Sequence, residues 1–410
     1  NVPYPILFGR VIVMSFLWKA VCLISVMSPV SAETCESELA AVSLHQLTAR
    51  HHQRSVPKAQ LHSYDKMTAS DDNNVLCRAG KWLPELYVLG AVKSATTDLA
   101  WQLVHNGIES TIVVGSVPDN DFWSHNISDL DVPFLADKES YFVLQYMKDH
   151  FKVWNPEDAM EVWESYMPIC PHTAERKIHA DFTVMNLGMS AKGRSSSEGG
   201  VLAFGVDVTA FDMPSTLEHW YGQLSSRPTF IIMLREPLSQ MQSLWYHART
   251  VYHLQGDEVP RQAIGDMPMD STFLAQLNRT LALAEAGTIP LWLWYAMYAN
   301  QIEAWIDRFA AQQFFIIPMM YFVELATDEV AESLQERLQY PISFSEVHGP
   351  TESINHHEHP KLEEEVPPGM RLRFDSLLAG EHQHLLQVLQ KAYLQGGHLP
   401  GFHPEGSNAS

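Results

Sequence analysis

Positive charge is scarce in this chain. Lys and Arg number 27 against 48 Asp and Glu, a net charge of -21. That balance excludes a general nucleic-acid binder, which needs a basic footprint. It confines anion recognition to local sites. Cysteine is sparse too: there are four in 410 residues, with no CxxC pair, which argues against a zinc cluster. Cys22 lies in an N-terminal apolar stretch, so at most one disulfide joins two of Cys35, Cys77 and Cys170, and the sequence leaves the pair open. There is no internal repeat, and no Gly-Lys-Ser/Thr of a nucleoside-triphosphate loop. Hydrophobic residues are plentiful at 46%, enough for a sizeable core in one large domain or two ordinary ones.

From Met14 the chain reads MSFLWKAVCLISVMSPVSAETC. Lys19 precedes an apolar run, and Val30-Ser31-Ala32 is a small-residue cleavage pattern. This predicts a secretory signal peptide within 1–32. A signal anchor over 11–30, interrupted by Lys19, would instead tether the chain to a membrane. A buried N-terminal helix is the third reading. Asn126, Asn278 and Asn408 begin glycosylation sequons, which are common by chance. The pattern predicts a polar stem or irregular arm over 33–80, one domain over 81–400 and a tail over 401–410. It places the protein in the secretory pathway, in the Golgi lumen or secreted.

Apolar runs at Leu86–Leu89, Thr111–Val114, Val201–Val208, Thr229–Leu234 and Phe314–Pro318 are short and bounded by turn residues, as parallel strands are. Leu99, Leu103 and Val104 recur at helical spacing over Thr96–His105, with Gly107 placed to end that helix. The aromatic-rich stretch 141–167 reads as helices. Residues 188–200, 253–272 and 346–371 read as loops, and Phe374–Gln395 as a closing amphipathic helix. Strands alternating with helices predict an α/β fold, a P-loop-like three-layer sandwich around a mostly parallel sheet.

Two stretches carry chemistry. Gly90-Ala91-Val92-Lys93-Ser94-Ala95-Thr96-Thr97 joins a strand to a helix N-terminus. Free amides and the helix dipole make such a turn an anion site. Lys93 adds charge, and the hydroxyls add donors. An ordinary capped helix is the bland alternative. Arg235 ends the Thr229–Leu234 strand, where open α/β sheets bind ligands. Ser243 lies about two turns into the following helix. An arginine fork and a serine there suit a second phosphate.

These stretches resemble sulfotransferases that use 3′-phosphoadenosine 5′-phosphosulfate (PAPS), most closely the carbohydrate, Golgi-type branch. Gly90 to Thr97 looks like their 5′-phosphosulfate loop, and Arg235-Glu-Pro with Ser243 like their 3′-phosphate motif. Lys138-Glu139-Ser140-Tyr141-Phe142 is similar to the branch's K-E-x-x-F-F. Trp163 to Pro168 is similar to the W/Y-x-x-x-[FM]-P that follows it. Val206-Asp207-Val208-Thr209 looks like a D/E-x-S/T segment after the third strand, and Tyr321-Phe-Val-Glu-Leu like the segment after the last. The likeness runs from about 84 to about 340. Ala95 stands where the loop usually has glycine, and its methyl would either crowd the phosphate or strain a position that needs positive φ. Gln240 stands where an arginine is frequent, and Tyr141 and Leu144 depart in the same way after Glu139.

The resemblance implies transfer of a sulfuryl group to a carbohydrate hydroxyl, with PAPS as donor and no metal. Lys93 would stabilise charge on the leaving phosphate. Glu139 would be the general base, with Lys138 beside it and Asp207 as the alternative base. His356-His357-Glu358-His359 is better read as a loop than a metal site. Apart from the resemblance, the -21 charge tilts toward a less anionic acceptor, a tilt that a local basic groove of Arg176, Lys177, Lys192 and Arg194 could override. The rival readings are a P-loop nucleotide kinase and a sulfotransferase-like binding protein without turnover.

Overall fold

The computed structural model describes residues 75–78, 80–110, 167–171, 175–184, 186–190, 202–203, 206–207, 212–255, 271–325, 327–344 and 359–402. All lie in one unit, Asp65–Ser410.

The centre is a five-stranded, wholly parallel sheet. Its strands are β3 (Leu86–Gly90), β4 (Glu109–Ser110), β5 (His179–Asp181), β8 (Thr229–Leu234) and β9 (Phe314–Pro318), in the order β4-β5-β3-β8-β9. Strand residues alternate between two faces. Tyr87, Leu89, Phe230, Ile232, Phe314 and Ile316 enter one core, and Leu86, Val88, Ile231, Met233, Phe315 and Ile317 the other. The second core is closed by α1 (Thr96–His105) and α7 (Thr327–Leu338). The first is closed by α2 (Met213–Tyr221), α3 (Pro237–Gln255), α4 (Phe273–Glu285), α5 (Leu291–Trp294), α6 (Tyr298–Ile306) and α9 (Pro368–Leu394), with the short α8 (Leu362–Glu365) alongside. Two cores on opposite faces make the expected three layers.

Beyond the sheet, β1 (Cys77–Arg78) and β2 (Lys81–Trp82) form an antiparallel hairpin. Met167–Cys170 lies against it through Trp82 N–H to the Pro168 carbonyl at 2.9 Å and Cys170 N–H to the Gly80 carbonyl at 2.9 Å. A Cys77–Cys170 disulfide locks this contact across 93 residues. At the other end of the chain, His398 bridges to Phe315 along the outer edge of β9.

The structure corrects several expectations. The run at Val201–Val208 does not supply a sheet strand. Within it, β6 (Leu202–Ala203) and β7 (Val206–Asp207) pair antiparallel as a separate hairpin. The strand beside β3 is instead β5, whose buried His-Ala-Asp shows no apolar run. The helix after Pro237 extends to Gln255, inside the expected 253–272 loop, and α8 and the start of α9 occupy the end of the expected 346–371 loop. The expected strand Thr111–Val114 lies outside the described residues. So do the N-terminal segment, the arm up to residue 74 and the 188–200 loop beyond Ser190. No helix among the described residues is long and apolar enough to cross a membrane.

Candidate functional site

Connections leave β3 and β8 in opposite directions, so their carboxyl ends form a topological switch point, the usual ligand crevice of an open α/β sheet. Both sequence motifs end there.

The loop after β3 is held close by Gly90. A Cβ at Gly90 would lie 2.7 Å from the Val184 carbonyl oxygen, and its φ is +148°. Only glycine lets the 186–188 turn approach the strand end this tightly. Lys93 and Ala95 then adopt positive φ, 63° and 60°. Alternating handedness of this kind turns successive amides toward one concavity. Ala95 therefore sits in the left-handed geometry that glycine adopts without strain.

Two side chains fix which way the loop faces. Gln240 Nε2 donates to the Val92 carbonyl at 3.0 Å, and Arg235 Nη1 donates to the Lys93 carbonyl at 3.0 Å. A trans peptide sets its N–H opposite its C=O. Tying both carbonyls toward α3 therefore turns the Lys93 and Ser94 amides the other way. The buried Gln240 makes this tie without charge.

The two helix N-termini at this crevice differ. Ala95, the N-cap of α1, offers no side-chain hydrogen bond, so the first-turn amides of α1 are not filled by a cap. At α3 the Glu236 carboxylate accepts from Leu238 N–H at 3.3 Å and Ser239 N–H at 2.6 Å, and it lies 3.7 Å from Arg371. An anion near α3 would thus meet the Arg235 side chain rather than helix amides. Arg235 is partly buried, and that burial holds its guanidinium below its ordinary pKa. Among the described residues no carboxylate forms an ion pair with it. Ser243 is buried on α3, six residues beyond Pro237, or about 9 Å along the axis.

Other expected site residues fall elsewhere. Ser94 and Thr96 are buried in the loop, with Lys93 and Thr97 partly exposed beside them. Lys138 and Glu139 lie outside the described residues, as do Lys192, Arg194 and His356 to Glu358. His359 stacks on Tyr246, with ring centroids 5.2 Å apart. No group of three or more metal-ligating side chains occurs among the described residues. Arg176 grips the buried Glu85 through two bonds of 2.7 and 2.8 Å at the amino end of β3, and Lys177 bonds Glu109. Both are occupied at the far end of the sheet, so they do not line a groove at the switch point.

Asp207 ends β7, which belongs to the separate β6–β7 hairpin and not to the central sheet. The acidic residue that follows the β5 register is Asp181, whose Oδ1 accepts from Thr183 N–H at 2.7 Å. Asp181 also faces the buried Tyr87–Tyr221 hydroxyl pair, and its charge helps keep both phenols protonated.

Sequence reasoning missed Tyr298. Its phenol is buried, and that burial raises its pKa. Neither Tyr298 Oη nor Ser94 Oγ forms an aligned hydrogen bond. A lone tyrosine in the apolar stretch LWLWYAMY carries no distinguishing signal.

No protein-family model matches the chain, and no curated protein matches it. The structure is similar to the crystal structure of a sulfotransferase from Alicyclobacillus acidocaldarius, at 16% identity and a TM-score of 0.39. The match covers 75% of this chain and 96% of that one. A likeness this loose assigns no chemistry, which must come from the residues themselves.

Proposed function

We propose that this protein is a PAPS-dependent sulfotransferase that acts on a carbohydrate hydroxyl. The observation that carries the reading is Arg235: a partly buried guanidinium, without an ion-pair partner among the described residues, bonded to the backbone of the loop that carries Lys93. A buried charge is costly unless paired, so the arrangement calls for an anion beside the loop. The loop and α1 offer amides on one side, and Arg235 offers its fork on the other. That division suits a ligand with two separated phosphates better than a continuous triphosphate.

The donor supplies an activated sulfuryl group and a phosphate leaving group. Lys93 would stabilise the charge that develops on that phosphate, while Thr96 and Thr97 complete the cradle. Arg235 and Ser243 would hold the 3′-phosphate. Glu139, with Lys138 as neighbour, is the proposed base for the acceptor hydroxyl, on the strength of the sequence resemblance. The Cys77–Cys170 disulfide supports a secretory location, since such bonds persist in oxidising compartments.

The test is sulfuryl transfer from PAPS to a panel of neutral and acidic glycans, alongside binding of adenosine 3′,5′-bisphosphate. Transfer to a glycan supports the proposal. Magnesium-dependent phosphoryl transfer from ATP without bisphosphate binding would replace it with the kinase reading. Tight bisphosphate binding with no transfer to any acceptor would leave a nucleotide-binding protein without turnover.

A further inference from the structure

We infer that Gln240 is a positioning residue for the 5′-phosphate, although the chain places it between the two residues assigned to the 3′-phosphate; the inference rests on the proposed function. Arg235 precedes Gln240, and Ser243 follows it three residues on along the same face of α3. No hydrogen bond joins the Gln240 side chain to either of them among the described residues. Its Nε2 donates instead to the Val92 carbonyl at 3.0 Å, 148 residues away in the loop after β3. At a longer 3.5 Å it also reaches the Tyr295 carbonyl, just beyond α5.

Gln240 is 0% exposed, and its neighbours Leu238, Met241 and Leu244 belong to the apolar core. A primary amide in such surroundings is costly unless it is bonded. The bonds that Gln240 makes go to backbone, and the nearer of them fixes the loop. The two ties to the loop divide the work by peptide plane. Gln240 holds the Val92 carbonyl and so orients the Val92–Lys93 peptide. Arg235 holds the Lys93 carbonyl and so orients the next one. Arg235 also carries a charge that can meet a phosphate directly. Gln240 is buried and neutral, so it acts on a ligand through the loop alone. Its loss should therefore be felt by the phosphate that the loop holds and not by the one beside Arg235.

The experiment titrates wild type and Gln240→Met with adenosine 3′,5′-bisphosphate, adenosine 3′-monophosphate and adenosine 5′-monophosphate, reading weak ligands by displacement of the bisphosphate. Methionine keeps the length of the side chain and removes the donor. The affinity ratio of bisphosphate to 3′-monophosphate isolates the 5′-phosphate, and the ratio of bisphosphate to 5′-monophosphate isolates the 3′-phosphate. In Gln240→Met the first ratio should fall about tenfold, the scale of one hydrogen bond, while the second stays as in wild type. Should Gln240→Met fail to fold, Gln240→Glu, which keeps the shape and loses the donor, is titrated in its place with the same expectation. Two unchanged ratios, an equal fall in both, or a fall in the second alone would each overturn the inference; the last would return Gln240 to the 3′ side. A folded wild type that does not bind the bisphosphate would overturn the proposed function itself, and the inference with it.

Discussion

The Arg235 guanidinium reaches across the switch point to the Lys93 carbonyl at 3.0 Å, so the end of β8 holds the loop that follows β3. One side chain thus shapes the loop and presents charge beside it. Arg235→Ala should weaken adenosine 3′,5′-bisphosphate binding by about 2–5 kcal/mol, well over tenfold. Arg235→Lys should recover only part of this, because an ammonium lacks the planar fork. Equal binding by wild type and both variants, measured by calorimetry, would remove Arg235 from the site.

Ala95 occupies φ 60°, ψ 21°. A left-handed alanine is strained by about 1–2 kcal/mol, partly offset by the greater unfolded freedom of glycine. Ala95→Gly should therefore stabilise the fold by about 0.5–1 kcal/mol in urea unfolding, without weaker nucleotide binding. A destabilised variant would show that the alanine methyl makes a contact worth more than its strain.

Gly90 has no such latitude. Gly90→Ala places a methyl against the Val184 backbone, not against a flexible side chain. Backbone strain and overpacking together predict a loss of about 2 kcal/mol or more. Thermal unfolding and bisphosphate titration should report the damage together, since the same strand end carries the loop.

His179 makes stability depend on pH. It is buried against Trp82, with ring centroids 4.6 Å apart, and burial pushes its pKa down to about 3. The folded value lies below the unfolded one, so the unfolded chain binds more protons between about 3 and about 6.5. Stability from this group is fully present above about 6.5 and falls as pH drops through that window. Between pH 6.5 and 5 the loss should be about 2 kcal/mol in urea unfolding. His398, lowered in the same way, adds to the slope, whereas Asp375 and Glu381, raised by burial, oppose it at lower pH. His179→Phe should flatten the profile, and an unaltered slope would assign the dependence to other groups.

The disulfide closes a long loop. Cys77→Ser should cost about 3–5 kcal/mol on the chain-entropy scale for 93 residues. Reduction of wild type should lower the urea midpoint equally, and reductant should not affect the variant.

Much of the fold was legible where apolar runs were bounded by turns. Leu86–Gly90, Thr229–Leu234 and Phe314–Pro318 are strands and Thr96–His105 is a helix, close to the limits that hydrophobic spacing implies. The strand His179–Asp181 was not legible. Its two polar residues are nonetheless buried, His179 as a neutral ring on the distant Trp82 and Asp181 with its carboxylate accepting from the nearby Thr183 amide. Local hydrophobicity holds no trace of either. The run at 201–208 misled for the converse reason: apolar character does not distinguish a sheet strand from a two-residue hairpin arm. The placing of Lys93, Ala95 and Arg235 at the carboxyl ends of β3 and β8 was readable because a turn beside charge is a local pattern. Tyr298 and the tie from Gln240 were not, because their meaning depends on distant backbone.

The bridge at His398 has a consequence for association. His398 accepts from Ile316 N–H and donates to the Phe314 carbonyl, each at 2.9 Å. By the two-residue period of a strand, the next outward position is Pro318, which has no N–H to offer. The outer rim of β9 is therefore sealed partly by the chain's own end and partly by proline chemistry. Another polypeptide cannot add a strand there, so any self-assembly must use side-chain surfaces or a different border of the sheet.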